Sequence, residues 1–212
     1  MNIRTTKTLR DLWGNKARSL LIVLAVTVGV AAFGLMISGA IVLEQNLKSG
    51  YAATHPAHTV LTLAAFDDGL VAKVRALPDV QEAQARRLTR VRLQTAPGRW
   101  LSLDLATVAD FQAITLNRLM PVVDAPEGSI LLEQSVQSQG RLGDEIHLQL
   151  LDGTEHTLRV AGFVNDLSTL PAGISLIGGG YVSAATAGAL GLPLEYNRLY
   201  VRFNGNPSRA EI

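Results

Sequence analysis

The segment SLLIVLAVTVGVAAFGLMISGAIVL, residues 19–43, contains no charged side chain and decides how the rest of the chain is organised. Its only side-chain hydrogen-bonding groups belong to Ser19, Thr27 and Ser38. A helix of this length extends roughly 37 Å at about 1.5 Å per residue, which exceeds the hydrocarbon core of about 30 Å. Because the segment is apolar on every face, it has no side to present to water. It therefore predicts a membrane-spanning helix.

Two other structures are compatible with an apolar segment near an N-terminus. A buried helix in a soluble core rarely runs this long without a charge. A cleaved signal peptide could use the small residues Ser38, Gly39 and Ala40 as its cleavage site. However, the apolar run before them is about twenty residues, and that of a signal peptide is usually about 7–15. We therefore expect an uncleaved signal anchor with its transmembrane helix at residues 19–48.

The charge on the two sides of the apolar segment differs in sign. Residues 1–18 carry five basic side chains and one acidic one, a net charge of +4, whereas the rest carries 14 basic and 17 acidic side chains, a net charge of −3. Basic residues beside a span stay on the cytoplasmic side. We therefore predict a bacterial inner (plasma) membrane protein with a cytoplasmic N-terminus and with the residues after 44 periplasmic or extracellular. This charge pattern gives no indication of a nucleic-acid partner.

The first eighteen residues combine cations with an apolar face. Residues 1–18 are predicted to form a cytoplasmic amphipathic elbow at the lipid headgroups, in which Arg10, Trp13, Lys16 and Arg18 contact the membrane surface. A disordered basic tail that only sets the topology is the alternative.

Small residues recur four positions apart inside the predicted span. Ala25 and Gly29 form one such pair, and Gly34 and Ser38 form another. Small side chains at this spacing let a second helix approach closely. We therefore predict that these four residues contact other membrane helices.

Beyond the span, strand patterns alternate with helix patterns. Strand patterns cover residues 58–65, 80–95, 100–106, 129–132 and 196–203. Helix patterns start at Asp67 or Asp68 and end at Pro78, and recur over residues 110–120, 133–140 and 184–190. The glycines at residues 178–180 predict a loop. The predicted fold class is α+β, with one N-terminal transmembrane helix followed by a mixed α+β extracytoplasmic domain with β-hairpins.

The clearest local pattern is a hairpin over residues 145–164. A two-residue loop at Asp152 and Gly153 would place Arg159 on the apolar face of the hairpin. A three-residue loop over residues 151–153, with Gly153 in the left-handed conformation, instead pairs Leu150 with Thr154. Because the hydrophobic pattern fixes the register, we predict the second arrangement, with Asp152 and Gly153 at the turn.

The residue patterns of common catalytic and ligand sites are absent from the sequence. It contains no cysteine, no G-x-x-x-x-G-K-[ST] loop and no G-x-S-x-G motif, and its four histidines are not spaced as a shared metal site. We therefore expect no enzyme activity, no cofactor and no metal. The basic cluster of Arg86, Arg87, Arg90 and Arg92 predicts a solvated outer face, and the alternative is a contact for anionic lipid or an acidic partner.

Two stretches of sequence resemble a known family. TLRDLWGNKARSLLIVLAVTVGVAAFGL, residues 8–35, is similar to the N-terminus of MacB-type, FtsX-like ABC transporter permeases, in which a basic elbow, often with an N-K-x-R-S motif, enters the first span. ILLEQSVQSQGRLGDEIHLQLLDGTEHTLRVAGFVND, residues 130–166, resembles the periplasmic core of that family, and so do GYVSAATAGALGL and NRLYVRF nearer the end. The order and spacing of these motifs carry the resemblance, which is weakest over residues 54–125.

The resemblance implies a permease subunit whose first span leads into a MacB-like periplasmic domain at residues 49–212, incomplete at its C-terminus, with further spans beyond. It implies a cytoplasmic ABC ATPase partner, a second permease copy or homologue, and surrounding membrane lipid. Nucleotide-driven movement of the spans would reach the periplasmic domain, a mechanotransmission role in exporting or extracting lipoproteins, peptides or similar substrates. The alternative is a single-span membrane-anchored periplasmic binding or sensor module.

Overall fold

The structure is a computed structural model that describes residues 16–169 and 171–205, with the side chains of residues 19 and 46–48 left out. The chain divides into two compact units, Met1–Gly50 and Tyr51–Ile212. Two predicted elbow residues, Arg10 and Trp13, lie outside the described residues.

The first described element is helix α1, Lys16–Ala53, of 38 residues. Its apolar side chains are exposed on every face, and among the described residues it is the one helix long and apolar enough to cross a membrane. The span predicted from the sequence ends at residue 48, but the helix continues through Gly50 to Ala53. A glycine inside a helix costs only about 1 kcal/mol, so favourable residues on both sides can carry the helix through it.

In the described part of the second unit, eight strands form one mixed sheet. Their bounds are β1 Thr59–Phe66, β2 Val80–Ala96, β3 Arg99–Val108, β4 Ser129–Glu133, β5 Glu145–Gln149, β6 Glu155–Val164, β7 Ile177–Ser183 and β8 Tyr196–Phe203. The order is β1-β8-β2-β3-β7-β4-β6-β5, and β5 also pairs with β2. Six strands therefore form a closed ring, and β8 and β1 extend from it. The predicted α+β class is confirmed.

Strand β2 connects the closed ring to the extension because it is 17 residues long. Its first part pairs antiparallel with β8, from Val80 to Arg86, and its second part pairs with β3, from Arg87 onward. Near its end, Leu93 also pairs with Leu148 of β5, which closes the ring. The closed ring and its extension, strands β8 and β1, therefore meet at Arg86 and Arg87.

The interior of the ring is a continuous apolar core. The fully buried side chains that share it include Val91, Leu93, Leu103, Leu105, Ile130, Leu132 and Leu148. On the outer face, a second cluster around Ala106, Leu131 and Tyr181 is covered by residues from the segment between β3 and β4. Close packing in these clusters keeps the sheet rigid.

The glycines predicted to form a loop at residues 178–180 are instead the middle of β7. A Cβ atom at Gly178 would lie 2.7 Å from Cγ1 of Val136 and 2.9 Å from Cδ1 of Leu103. At Gly180 a Cβ would lie 3.0 Å from atoms of Ile130 and Leu103. The glycines therefore lie where the core approaches the strand too closely for a side chain.

The short helices follow local capping. Asp67 caps α2, Asp68–Arg75, by accepting a hydrogen bond from the backbone N–H of Gly69 at 3.0 Å, as the sequence predicted. A 3-10 helix, Gln134–Gln139, lies where an α-helix was expected. Helices α3, Ala172–Ser175, and α4, Ala184–Ala189, flank β7.

The predicted helix at residues 110–120 is wrong, because this segment is irregular. The side-chain amide of Gln84 donates to the carbonyl of Ala113 at 2.9 Å, and its oxygen accepts from the backbone N–H groups of Thr115 and Leu116, each at 3.3 Å. Asn117 has a φ of 49°, which a helix does not allow. Bonds to a neighbouring strand therefore replace those of a helix.

The hairpin register is confirmed. Ile146 lies opposite Leu158 and Glu145 opposite Arg159. The backbone N–H of Leu150 donates to the carbonyl of Thr154 at 2.9 Å, as the three-residue loop requires.

Candidate functional site

The segment that follows α1 is fastened to the sheet domain by backbone hydrogen bonds. The N–H of Arg118 donates to the carbonyl of Thr54 at 2.8 Å, and the N–H of Asn117 donates to the carbonyl of His55 at 3.1 Å. The backbone N–H of Ala57 donates to Oδ1 of Asn117 at 2.8 Å. We call this set of contacts, between residues 54–57 and residues 117–118, the exit anchor.

The sequence around Asn117 suits the exit anchor. Asparagine is one of the few residues that tolerates a positive φ, because its short polar side chain can bond nearby backbone groups. Here the amide oxygen accepts from Ala57, and Asn117 is buried. The left-handed conformation directs its backbone N–H and its side chain to the same neighbouring segment.

One buried arginine donates hydrogen bonds to the segment that carries Asn117. Arg86, on β2, is 4% exposed. Its Nη2 donates to the carbonyl of Leu116 and, at 3.2 Å, to the carbonyl of Asn117. Its guanidinium carbon lies 4.7 Å from the centre of the Tyr200 ring on β8. Arg86, which lies on β2, therefore contacts both β8 and residues 116–117. It does so at the point where the closed ring meets its extension.

The sequence predicted that the basic cluster forms a solvated face. This prediction is wrong for Arg86, which is buried, and is confirmed for Arg90 and Arg92. Arg90 is exposed and forms an ion pair with Asp104, and Arg92 is exposed. Arg86 and Arg92 are an even number of residues apart on β2, so the alternation of a strand predicts that both side chains lie on the same face. It therefore cannot predict that one is buried and the other exposed. Burial of Arg86 depends on the irregular segment over it, which the sequence predicted as a helix.

A cavity of about 390 Å³ lies beside Arg86 on the outer face of the sheet. Its apolar lining comes from β1, β2, β3 and β7, through Val60, Leu88, Ala106 and Ile177. Its charged lining is Arg86, Asp104, Asp166 and Arg198, and the hydroxyl groups of two tyrosines and several serines and threonines complete it. The lining of the cavity is therefore partly apolar and partly charged.

A buried pair of polar side chains forms one wall of this cavity. The hydroxyl of Tyr181 donates to Oδ2 of Asp166 at 2.6 Å. Oδ1 of Asp166 accepts from the backbone N–H of Ser168 at 2.9 Å and from its hydroxyl. Burial, and then the charge of Asp166, raise the pKa of Tyr181 well above its usual value. Tyr181 is therefore a neutral hydrogen-bond donor at physiological pH.

Burial also raises the pKa of Tyr200, and the neighbouring Arg86 opposes this shift. The hydroxyl of Tyr200 is therefore also protonated at neutral pH. Within residues 16–169 and 171–205, no three histidine, aspartate or glutamate side chains are arranged to hold a metal ion.

The predicted site residues of the span lie along α1. Lys16 and Arg18 are in its first turn, and Ala25, Gly29, Gly34 and Ser38 follow. A Cβ atom at Gly29 or Gly34 would meet no other atom within 4 Å, so a neighbouring helix could approach there. Their roles in lipid contact and helix packing remain predictions.

The predicted turn residues lie at the tip of the β5–β6 hairpin. Gly153 has a φ of 89°. The carboxylate of Asp152 accepts from the backbone N–H and the hydroxyl of Thr154, at 2.9 and 2.7 Å, and this lowers the pKa of Asp152. Neither residue lines the cavity. The exit anchor and the cavity were not predicted, because their residues are far apart in sequence and match no motif.

These features define a class: a protein in which a long apolar helix near the N-terminus is followed by an α+β domain built on a closed six-stranded sheet. Two of the solved structures that its fold resembles are extracytoplasmic domains of ABC-type transporters. One is the extracellular domain of the noncanonic ABC-type transporter YknZ from Gram-positive bacteria, with 9% identity, a TM-score of 0.43 and coverage of 69% of this chain and 82% of that one.

Another is the periplasmic region of MacB from Actinobacillus actinomycetemcomitans, with 11% identity and a TM-score of 0.40. The match covers 71% of this chain and 76% of that one. No protein-family model matches the sequence, and no curated protein sequence matches it.

Proposed function

We propose that this chain is part of a permease subunit of an ABC transporter of the MacB/FtsX-like type, in the bacterial inner membrane. Residues 1–18 form the cytoplasmic elbow, residues 19–48 the first span and residues 49–212 the periplasmic domain. The motifs of residues 8–35 and 130–166 support this proposal, and so does a 38-residue apolar helix that continues directly into an α+β domain.

The exit anchor is the observation that carries the proposed mechanism. Residues 54–57 are held to residues 117–118 of the sheet domain by three hydrogen bonds of 2.8 to 3.1 Å. Arg86 on β2 in turn donates to the carbonyl of Asn117. A displacement of the segment after the span would therefore reach the sheet through short hydrogen bonds rather than through a loose linker. A cytoplasmic partner ATPase would drive the displacement, which is the mechanotransmission role.

The cavity favours a second candidate function. A single-span anchored binding or sensor module needs a ligand site in its outer domain, and the cavity of about 390 Å³ supplies one. This candidate requires no ATPase and no further spans. The permease requires an ATPase bound at the cytoplasmic side of the membrane, and the anchored module does not.

The orientation can be tested with single cysteines, because the chain contains none. In intact spheroplasts, a membrane-impermeant maleimide should label Glu127→Cys, which is exposed in the outer domain, but should label Thr6→Cys only after lysis. Labelling of Thr6→Cys in intact cells would overturn the proposed orientation.

The ATPase partnership is tested by purifying the tagged full-length protein from its native membrane after mild cross-linking. We expect an ATPase with a P-loop motif to co-purify, and a Lys16→Glu and Arg18→Glu variant with an altered elbow serves as a comparison. Absence of any P-loop protein would overturn the permease proposal and favour the binding module.

A further inference from the structure

We propose that the cavity beside Arg86 binds a carboxylate carried on a short apolar chain, such as a fatty acid or the C-terminal residues of an apolar peptide. This ligand site goes beyond the proposed transport role, and neither requires the other.

The two arginines of the cavity have no carboxylate partner in the part of the chain that the structure describes. Arg198, on β8, is partly exposed and donates to the hydroxyl of Thr62, which is neutral. Arg86 donates to backbone carbonyls, and its Nε is buried without an acceptor. An ion pair joins Arg90 to Asp104, at the edge of the cavity lining.

The two aspartates of the cavity are already occupied. The carboxylate of Asp104 pairs with Arg90. Both oxygens of Asp166 accept hydrogen bonds, from Tyr181 and from Ser168, so this carboxylate has donors from the cavity wall. With Arg86 and Arg198 positive, Asp166 negative and Asp104 neutralised by its partner, the cavity has an excess of one positive charge.

Burial makes this positive charge effective. A charge in the protein interior is screened less than one in water, so Arg86 attracts an anion in the cavity more strongly than a surface arginine would. A buried charge without a counter-ion is also costly, and a ligand carboxylate would reduce that cost. Arg198 lies at the partly exposed side and can donate directly to a carboxylate.

The remaining lining suits an apolar chain. Val60, Leu88, Ala106 and Ile177 line the cavity with side chains that form no hydrogen bonds. The volume of about 390 Å³ is within the range of small-molecule sites, about 300–1,000 Å³. A ligand with an anionic end and an apolar body matches both parts of the cavity, whereas an ammonium compound would meet two unpaired guanidinium groups.

The test uses the full chain in lipid nanodiscs, with empty nanodiscs as the reference for partition into lipid. Saturation-transfer NMR and calorimetry compare hexanoate, hexan-1-ol and hexylamine, which share the chain and differ in charge. We expect saturable binding of hexanoate, and binding of the other two at least about tenfold weaker, the size of a charge-assisted hydrogen bond. Equal binding of hexanol and hexanoate, or preferential binding of hexylamine, would overturn the proposal.

A second comparison distinguishes the two sources of the carboxylate. The tripeptide acetyl-Ala-Leu-Leu is offered as its free acid and as its amide. Binding of the acid but not of hexanoate assigns the site to a peptide C-terminus, and binding of hexanoate alone assigns it to a fatty acid. If neither carboxylate binds, the site is not a carboxylate site.

Variants locate the binding. Arg198→Gln should weaken hexanoate binding at least about tenfold, and Arg198→Lys should restore part of it, because the charge returns without the planar fork. Arg92→Gln, an exposed arginine on the same strand as Arg86 but outside the cavity lining, should leave binding unchanged. Equal loss in Arg198→Gln and Arg92→Gln would contradict a localised site.

Val60 gives a variant with little risk to folding, because it is 43% exposed at the rim of the cavity. Val60→Glu should weaken hexanoate binding by repulsion, and Val60→Lys should strengthen it. The opposite order, or no difference between the two variants, would place the carboxylate elsewhere. A loss of folding would affect both variants in the same direction, so it cannot produce this result.

Discussion

Asn117 and Ala57 are joined by a hydrogen bond of 2.8 Å between the side-chain oxygen of the first and the backbone N–H of the second, across sixty residues of sequence. The bond fastens the chain that follows α1 to a loop that Arg86 holds against β2. Because the acceptor is a side chain, a single substitution can remove it while the rest of the exit anchor stays in place.

Asn117→Gly tests this contact. Glycine keeps the positive φ of 49° but leaves the N–H of Ala57 without its acceptor, which should cost about 1 kcal/mol of local stability. Amide hydrogen exchange of the full chain in nanodiscs should show faster exchange at Ala57.

Asn117→Asp is the matched control, because aspartate keeps the acceptor and also tolerates this backbone conformation. Exchange at Ala57 should stay slow in this variant. If Asn117→Gly and Asn117→Asp exchange alike, the side-chain bond does not hold the exit segment.

The hairpin shows what a sequence can determine about this fold. Its register was predicted correctly because only one of two loop lengths places Ile146, Leu148 and Leu158 on one face. The pattern is local, and the whole argument lies within twenty residues.

The site shows what the sequence could not determine. Gly178 is in a strand that pairs with β3, and it is a glycine because Val136 and Leu103, both distant in sequence, occupy the space of a side chain there. The irregular segment after β3 has the apolar spacing of a helix, but Gln84 supplies the bonds that hold it in another conformation. Such contacts depend on tertiary packing, which no local pattern encodes.

Gly178→Ala should destabilise the sheet domain. The new Cβ would lie 2.7 Å from Val136 and 2.9 Å from Leu103, so the core must shift, at a cost of about 1–3 kcal/mol. Thermal unfolding of the full chain in nanodiscs, followed by near-ultraviolet circular dichroism, measures the loss.

Gly188→Ala provides the comparison, because a Cβ at Gly188 meets no atom within 4 Å and the residue lies in helix α4. This variant should be stabilised by roughly 0.5–1 kcal/mol, the usual gain for alanine over glycine in a helix. Similar unfolding temperatures for the two variants would mean that the contact at Gly178 relaxes without cost.

Tyr181→Phe should destabilise the domain through Asp166. The substitution keeps the ring in the core but removes the donor to Oδ2 of a buried carboxylate, which typically costs about 1–3 kcal/mol. The same unfolding measurement applies, and Tyr51→Phe, at an exposed position, should change little. An unchanged unfolding temperature in Tyr181→Phe would show that water replaces the lost donor.

His58 links stability to pH. Its Nδ1 accepts the backbone N–H of Phe203 at 3.2 Å, which requires a neutral ring nitrogen. Burial, and then the charge of Arg202, lower the pKa of His58 below 6.5. As the pH falls below 6.5, the unfolded chain therefore takes up a proton before the folded chain does, so stability decreases until the pH passes the folded pKa. Above 6.5 this contribution is fully present.

An NMR titration of the His58 ring, assigned with His58→Gln, measures this pKa directly. Arg202→Gln should raise the pKa of His58 only partway towards 6.5, because burial is the larger cause and persists. The stability of His58→Gln should lose the part of its pH dependence that lies just below 6.5. A pKa at or above 6.5 in the unsubstituted chain would contradict both the bond from Phe203 to Nδ1 and the burial of the ring.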